Sequence, residues 1–188
     1  PTCARRMAPA TTATGKCNCG SCKSCQSLAN CRGIDGYLAN CNVCVDTNGD
    51  GSCSTGEPAA VTENDGSFIF LTDDVSQGNL IVETGGSCVD TGTAAPLEAS
   101  ISAPAESNSA TPLTTIMNQF PSTLTNADRS TALQSLFGLA VNYDLTTYDH
   151  VQALTENQPG ATEALVTIAP TTPRMHLVGT VAEYKGPT

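Results

Sequence analysis

The chain has 188 residues, of which 39% are hydrophobic and 14% charged, with 18 acidic against 8 basic side chains and a formal charge of −10. That acidity argues against a protein that binds nucleic acid through its whole surface, and no apolar run approaches the roughly 18 residues of a membrane span. Thr, Ser, Ala, Gly and Asn stand where charge is usually found, a composition that reads as secreted and β-rich, at home outside the cell or on its surface. The chain opens on Pro1 with neither Met nor an apolar leader, which reads as a processed or trimmed segment.

Residues 1–33 lack periodicity and predict an extended, Cys-rich arm. Nine of the ten cysteines fall in the first 53 residues: Cys3, Cys17, Cys19, Cys22, Cys25, Cys31, Cys41, Cys44 and Cys53, with Cys88 alone downstream. An even count in a secreted chain reads as a disulfide framework of up to five bridges. The competing reading is a zinc ribbon, because Cys19, Cys22, Cys41 and Cys44 have paired C-x2-C spacing. It would leave Cys17, Cys25 and Cys31 as free thiols. The arm is also basic: everything before Asp35 carries +5 and everything from Asp35 onward −15. Such an arm is either a solvated tail or a segment that docks on an acidic surface.

Residues 34–105 predict an antiparallel β-sandwich. Asn42 to Val45, Ser67 to Leu71 and Asn79 to Glu83 are short β-type runs between Asn, Asp and Gly clusters, Thr62 to Leu71 as a whole reads as extended, and Pro96 to Ile101 adds a further candidate strand. Residues 106–170 predict a helical region. Thr111 caps a helix with Pro112 in its first turn, and Leu113, Ile116, Met117 and Phe120 share a face. Thr125 and Asp128 form a capping box before Ala132, Leu133, Leu136 and Phe137, with Gly138 as C-cap. Val151 with Leu154, and Ala161 to Ile168, predict two more short helices. Residues 171–188 turn β-like in Met175 to Tyr184, a strand with no neighbour in sequence. The fold class is therefore α+β.

The sharpest chemical signal lies between the first two strands. Asp46, Asn48, Asp50, Gly51, Ser52, Ser54 and Glu57 fit the twelve-residue pattern D-x-[DN]-x-[DN]-G-x5-E. Ca2+ takes six to eight oxygens at about 2.3–2.6 Å, and the pattern supplies them: side chains of Asp46, Asn48 and Asp50, the Ser52 carbonyl, a water held by Ser54, and a bidentate Glu57. Gly51 permits the sharp turn. The competing reading is a metal-free hairpin turn, since Asn-Gly and Asp-Gly form turns by themselves. Strands rather than helices flank the loop, so it is EF-hand-like on a β-domain.

Alternation disfavours one disulfide, and the loop suggests another. In a strand Cys41, Val43 and Val45 share a face while Cys44 points the other way, so Cys41 and Cys44 are poorly placed to join each other. Cys53, at loop position 8, is placed to meet Cys44 and clip the two arms of the loop. Spacing does not determine the other pairings.

The run Gly36, Tyr37, Leu38, then Val43 to Gly51, Gly56-Glu57-Pro58 and Thr62 to Phe70 resembles the Sdr-type B domains of bacterial surface proteins and related prealbumin-like sandwiches. Glu63 stands where that pattern has Asp, and the cysteines are additions. The resemblance covers residues 33–85. Downstream, Thr111 to Thr115, Phe137 to Leu139 and Asp144 to Asp149 look like the helical unit that follows such sandwiches in large extracellular calcium-binding proteins. The resemblance implies a calcium-stiffened stalk or rod and no catalysis.

An enzyme needs a nucleophile with its base, or a catalytic metal. The two histidines, His150 and His176, lie on unrelated segments, and neither G-x-S-x-G nor H-E-x-x-H occurs. Asp73 and Asp74 read as a solvated turn, and Tyr37, Tyr143, Tyr148 and Tyr184 are too scattered for a sugar-binding platform. The sequence therefore predicts a non-enzymatic structural subunit of an extracellular fibre or surface assembly, with Ca2+ as cofactor and copies of itself, joined head to tail, as partner. The alternative is a calcium-dependent adhesin or carbohydrate-binding module whose partner is a surface glycan.

Overall fold

A computed structural model of the chain describes residues 27–139 and 143–158. The expected helix at 161–168, the expected strand at 175–184, and Cys3, Cys17, Cys19, Cys22 and Cys25 lie outside the described residues.

The strands come in chain order as β1 (Leu28–Gly33), β2 (Leu38–Ala39), β3 (Asn42–Asp46), β4 (Ala59–Val61) and β5 (Ser67–Leu71). After the single turn of α1 (Thr72–Val75) follow β6 (Asn79–Val82), β7 (Val89–Asp90), β8 (Ile101–Ala103) and β9 (Ser109–Ala110). The chain then becomes helical in α2 (Pro112–Met117), α3 (Asn126–Phe137) and α4 (His150–Thr155). One sheet has the order β5-β1-β9 and a second β4-β3-β6-β8, while β2 and β7 pair separately. All pairings are antiparallel except β1 with β9.

Alternation explains how the two sheets meet. Phe68 and Phe70 of β5 turn inward while Ile69 stays 51% exposed, and Ala29 and Cys31 of β1 share their side. Val43 and Val45 of β3, Leu80 and Val82 of β6, and Ile101 and Ala103 of β8 face them across one apolar core. This layering is compatible with a β-sandwich. Each fully buried Val, Leu, Ile or Phe there contributes roughly 1.5–3 kcal/mol relative to exposure. Cys44, on the opposite side of β3, is also fully buried, because a disulfide folds the following loop over it.

A second apolar cluster holds the helices together: Leu113 and Met117 of α2, Phe120, Ala132 and Leu133 of α3, then Leu139 and Leu145. The helix boundaries agree with the sequence. Thr111 and Thr114 form a reciprocal capping box with Pro112 at the first turn, Thr125 and Asp128 form another, and Gly138 ends α3 at φ 64°. Leu136, expected on the buried face, is 46% exposed.

Other expectations shift. Leu28–Gly33, counted with the arm on composition, is the central strand of the first sheet. Its inward residues Ala29, Cys31 and Gly33 are small because the opposite layer is close: a Cβ on Gly33 would stand 3.4 Å from Val82. The strand expected at 96–101 begins only at Ile101, and Pro96, which has no N–H to give, makes an isolated bridge to Val89. The extended reading of 62–71 breaks at a turn where Gly66, at φ 74°, lies so close to Gly33 that a Cβ would strike its carbonyl. Asp73 and Asp74 sit in the first turn of α1.

Candidate metal loop

β3 ends on Asp46, whose residue is 5% exposed, and the chain leaves the sheet there to return at Pro58, where the Val45 amide donates to the Pro58 carbonyl at 3.0 Å. Much of the loop between is closed by side-chain oxygens that accept from loop amides. The Asp46 carboxylate accepts from the amides of Gly49 at 2.7 Å, Asp50 at 3.2 Å and Gly51 at 2.9 Å. Gly49 and Gly51 have φ of 77° and 79°, a conformation that glycine adopts without steric cost. Asn48 accepts from the Asp50 amide at 2.8 Å and gives its own amide to the Asp50 carboxylate at 3.0 Å.

At the far end Glu57 reaches back across the loop. One oxygen accepts from the Thr47 amide at 2.8 Å and the Asn48 amide at 3.3 Å, and the other from the Ser54 amide at 2.9 Å. The hydroxyl and amide of Ser52, then the Ser54 hydroxyl and the Asn48 amide, hold the Asp50 carboxyl below its ordinary pKa. The Ser54 amide does the same for Glu57, with smaller help from those of Thr47 and Asn48 and against an opposing effect of desolvation. Both groups are therefore ionised across the neutral range.

Covalent closure adds to this. Cys44 and Cys53 form a disulfide with Cα atoms 5.5 Å apart, the candidate pairing that clips the two arms of the loop. A second bridge joins Cys41 to Cys88 across 47 residues. These two bonds correct the zinc reading, since Cys41 and Cys44 are each committed to a different disulfide and offer no thiolate. Cys31 is a buried free thiol whose pKa burial pushes up to about 11, so it stays protonated and unreactive. Disulfides of this kind belong to oxidising surroundings. Among the described residues no helix is long and apolar enough to cross a membrane.

No family model, no curated protein and no solved structure matches the chain.

The donor set of the loop suits a hard cation in type and order: carboxylates of Asp46, Asp50 and Glu57, the Asn48 amide and the Ser52 carbonyl, with no nitrogen or thiolate among them. Their surroundings suit one too. From Gly33 to Asp128 the chain holds thirteen acidic residues and no Lys or Arg, so no side-chain cation from this stretch neutralises the loop. In the conformation described, the carboxylates turn to amides rather than to one another, and no three His, Cys, Asp or Glu side chains among the described residues converge on a common centre. Glu83, which sequence did not single out, also serves the loop by accepting from the Cys53 amide at 2.9 Å. Beside Asp46 lies a cleft bordered by Asn79, Ser100, Ser102, Asn118 and Gln119, which no motif announces because its residues come from three separate segments.

The helical region is tied to the sandwich by a polar staple. Arg32 of β1 donates to Asp149 at 2.8 Å, lies 5.1 Å from the centre of the Tyr37 ring and is 3.5 Å from Asp65. Asp149 also caps α4 through the Gln152 amide at 2.8 Å. Arg32 therefore serves an internal joint and not a solvated tail. Tyr143 and Tyr148, apart in sequence, bring their rings to 4.4 Å.

Proposed function

We propose that this protein is an extracellular structural subunit, a building block of a fibre or cell-surface assembly, in which Ca2+ and disulfides stiffen a β-sandwich. The observation that carries the reading is the Asp46–Glu57 loop. It presents three carboxylates in calcium-loop order at the mouth of a strand, is clipped by Cys44–Cys53, and sits in a stretch without a basic residue. When bound, the ion would be held by Asp46, Asn48, Asp50, Ser52 and Glu57, and would supply the positive charge that the loop now replaces with amide dipoles. The chain's own residues do the rest: β3 anchors Asp46, the disulfide holds the arms together, and Glu57 spans the gap. Such a centre is a brace, and the reading assigns no catalytic role. The likeness to Sdr-type and prealbumin-like calcium sandwiches supports the same conclusion.

Assembly is head to tail, between copies of the chain. The uneven charge favours a heterologous contact: of the +5 before Asp35, Arg32 is held by Asp149, leaving +4 on Arg5, Arg6, Lys16 and Lys23 against −15 from Asp35 onward, and such a contact builds an open filament when its rotation does not close. Electron microscopy of the purified full chain in calcium tests this. Filaments that shorten or vanish on chelation are expected; monodisperse single particles at every concentration contradict it.

A second reading, a glycan-binding adhesin, is favoured by the amide- and hydroxyl-lined cleft beside Asp46. Dispersed particles that bind a glycan array only in calcium would decide for it.

A further inference from the structure

Among the described residues, the first sheet is incomplete along one side of its central strand. The Thr72 amide donates to the Ser27 carbonyl and the Gly33 amide to the Gly66 carbonyl, so odd-numbered residues of β1 turn their backbone groups toward β5. By alternation, Leu28, Asn30 and Arg32 turn theirs to the other side. There the Arg32 amide meets the Asn108 carbonyl at 2.9 Å. β9 is only two residues long, and its register with β1 covers Arg32 and Gly33 alone. Opposite Leu28 and Asn30 no described strand stands. The chain leading into β9 swings away, and the Glu106 amide donates to the Val75 carbonyl of α1 instead. The space left is a groove bordered by Leu28, Asn30, Thr72, Val75, Glu106 and Asn108.

We propose that this groove receives Met175 to Tyr184 of a second copy as an added strand, making it the acceptor end of the head-to-tail contact. The inference rests on the assembly reading above and names its site. An unpaired strand edge offers regularly spaced donors and acceptors, and an extended segment laid beside it satisfies both partners. Three features select the occupant. Met175 to Tyr184 carries Leu177, Val178, Val181 and Tyr184, a β-type run, whereas residues 1–26 contain no Val or Ile and no such run. An apolar side chain already waits on the outer face of the sheet at this edge: Leu28, which borders the groove, is 39% exposed. The charges also match, because Arg174 and Lys185 bracket the segment while Glu106 lies at the groove and Asp73 and Asp74 begin the helix that walls it.

The test uses the full chain in calcium, with a photoreactive benzoyl-phenylalanine in place of Leu28 and equal amounts of heavy- and light-nitrogen protein polymerised together. Cross-links from position 28 to the peptide holding Met175 to Tyr184, in mixed-isotope pairs, are expected. Filaments whose cross-links fall on the same copy's tail, or on residues 1–26, overturn the inference and leave the assembly reading standing. Absence of filaments in the parent chain overturns both. A second variant, Asn30→Pro, removes an N–H that faces the groove and not β5, a placement that Pro tolerates at a sheet edge. Loss of filaments with an unchanged melting temperature of the subunit is expected; filaments as abundant as in the parent contradict the proposal.

Discussion

His150 is 1% exposed, begins α4, and directs its ring toward the carbonyl of Asp35 in the loop after β1. Burial lowers its pKa below the ordinary value, more strongly than the Asp35 carbonyl and the charges of Asp149 and Asp35 raise it. The folded chain therefore holds His150 neutral, while the unfolded chain takes up a proton near pH 6.5. Stability from this group is complete above about 6.5 and is lost as pH falls through that value toward the folded pKa. Thermal melts between pH 8 and 5 are expected to show a falling melting temperature in the acid half, and His150→Gln to flatten that fall. An equal slope in the variant contradicts the assignment. The neighbouring Arg32 acts differently, because its partner Asp149 is also the cap of α4. Arg32→Met is expected to loosen the joint between sandwich and helices, read as faster amide exchange in α4 with the β3 amides unchanged. Exchange that rises equally in both would mean that Arg32 supports the whole fold.

At the scale of elements, the β3 hairpin with its loop is bound by covalent and polar closure together. Replacing Cys44 and Cys53 together by Ala is expected to cost about 2–4 kcal/mol, the usual worth of a disulfide. Removing Cys41 and Cys88, which close 47 residues, is expected to cost more, since the entropy of the loop released grows with its length. Chemical denaturation of the two double variants checks both, and a larger loss for the shorter loop contradicts the ordering. Cys44–Cys53 was legible because alternation excludes Cys41 and the loop brings Cys53 close; Cys41–Cys88 was not, because no local rule spans such a distance. The helix ends were legible for the same local reason: Thr111, Thr125 and Gly138 act on amides and carbonyls within one turn. Thr111→Ala is expected to cost about 1 kcal/mol, rising if the buried Thr114 hydroxyl loses its network. β1 was illegible. Its Ala, Asn, Cys and Gly carry little β-propensity, and β5 and β9 make it a strand through tertiary pairing. The two-residue strands β2 and β7 are likewise too short to leave a pattern.

For the whole molecule, charge is the organising quantity. The described body carries Arg32 and Arg129 as its only Lys or Arg, and Arg32 is spent on the joint with α4. An acidic body of this kind repels itself, and repulsion is relieved by cations at defined loops or by basic segments of neighbours. The calcium and the head-to-tail contact proposed above would each answer that electrostatic problem. The order of oxygen donors in the loop was readable from residues 46–57 alone. Glu83 and the Asn118 side of the cleft were not, since folding brings them to the loop from distant positions. The measurement that bears most directly on this account is the melting temperature of the full chain in millimolar calcium and in chelator, beside the same pair for Glu57→Gln. An ion that binds only the folded state adds about 2.7 kcal/mol at a hundred times its Kd. A rise of several degrees is expected on adding calcium to the parent chain, and little or none in Glu57→Gln. Equal melting temperatures in calcium and chelator for the parent would show the loop to be a turn and nothing more.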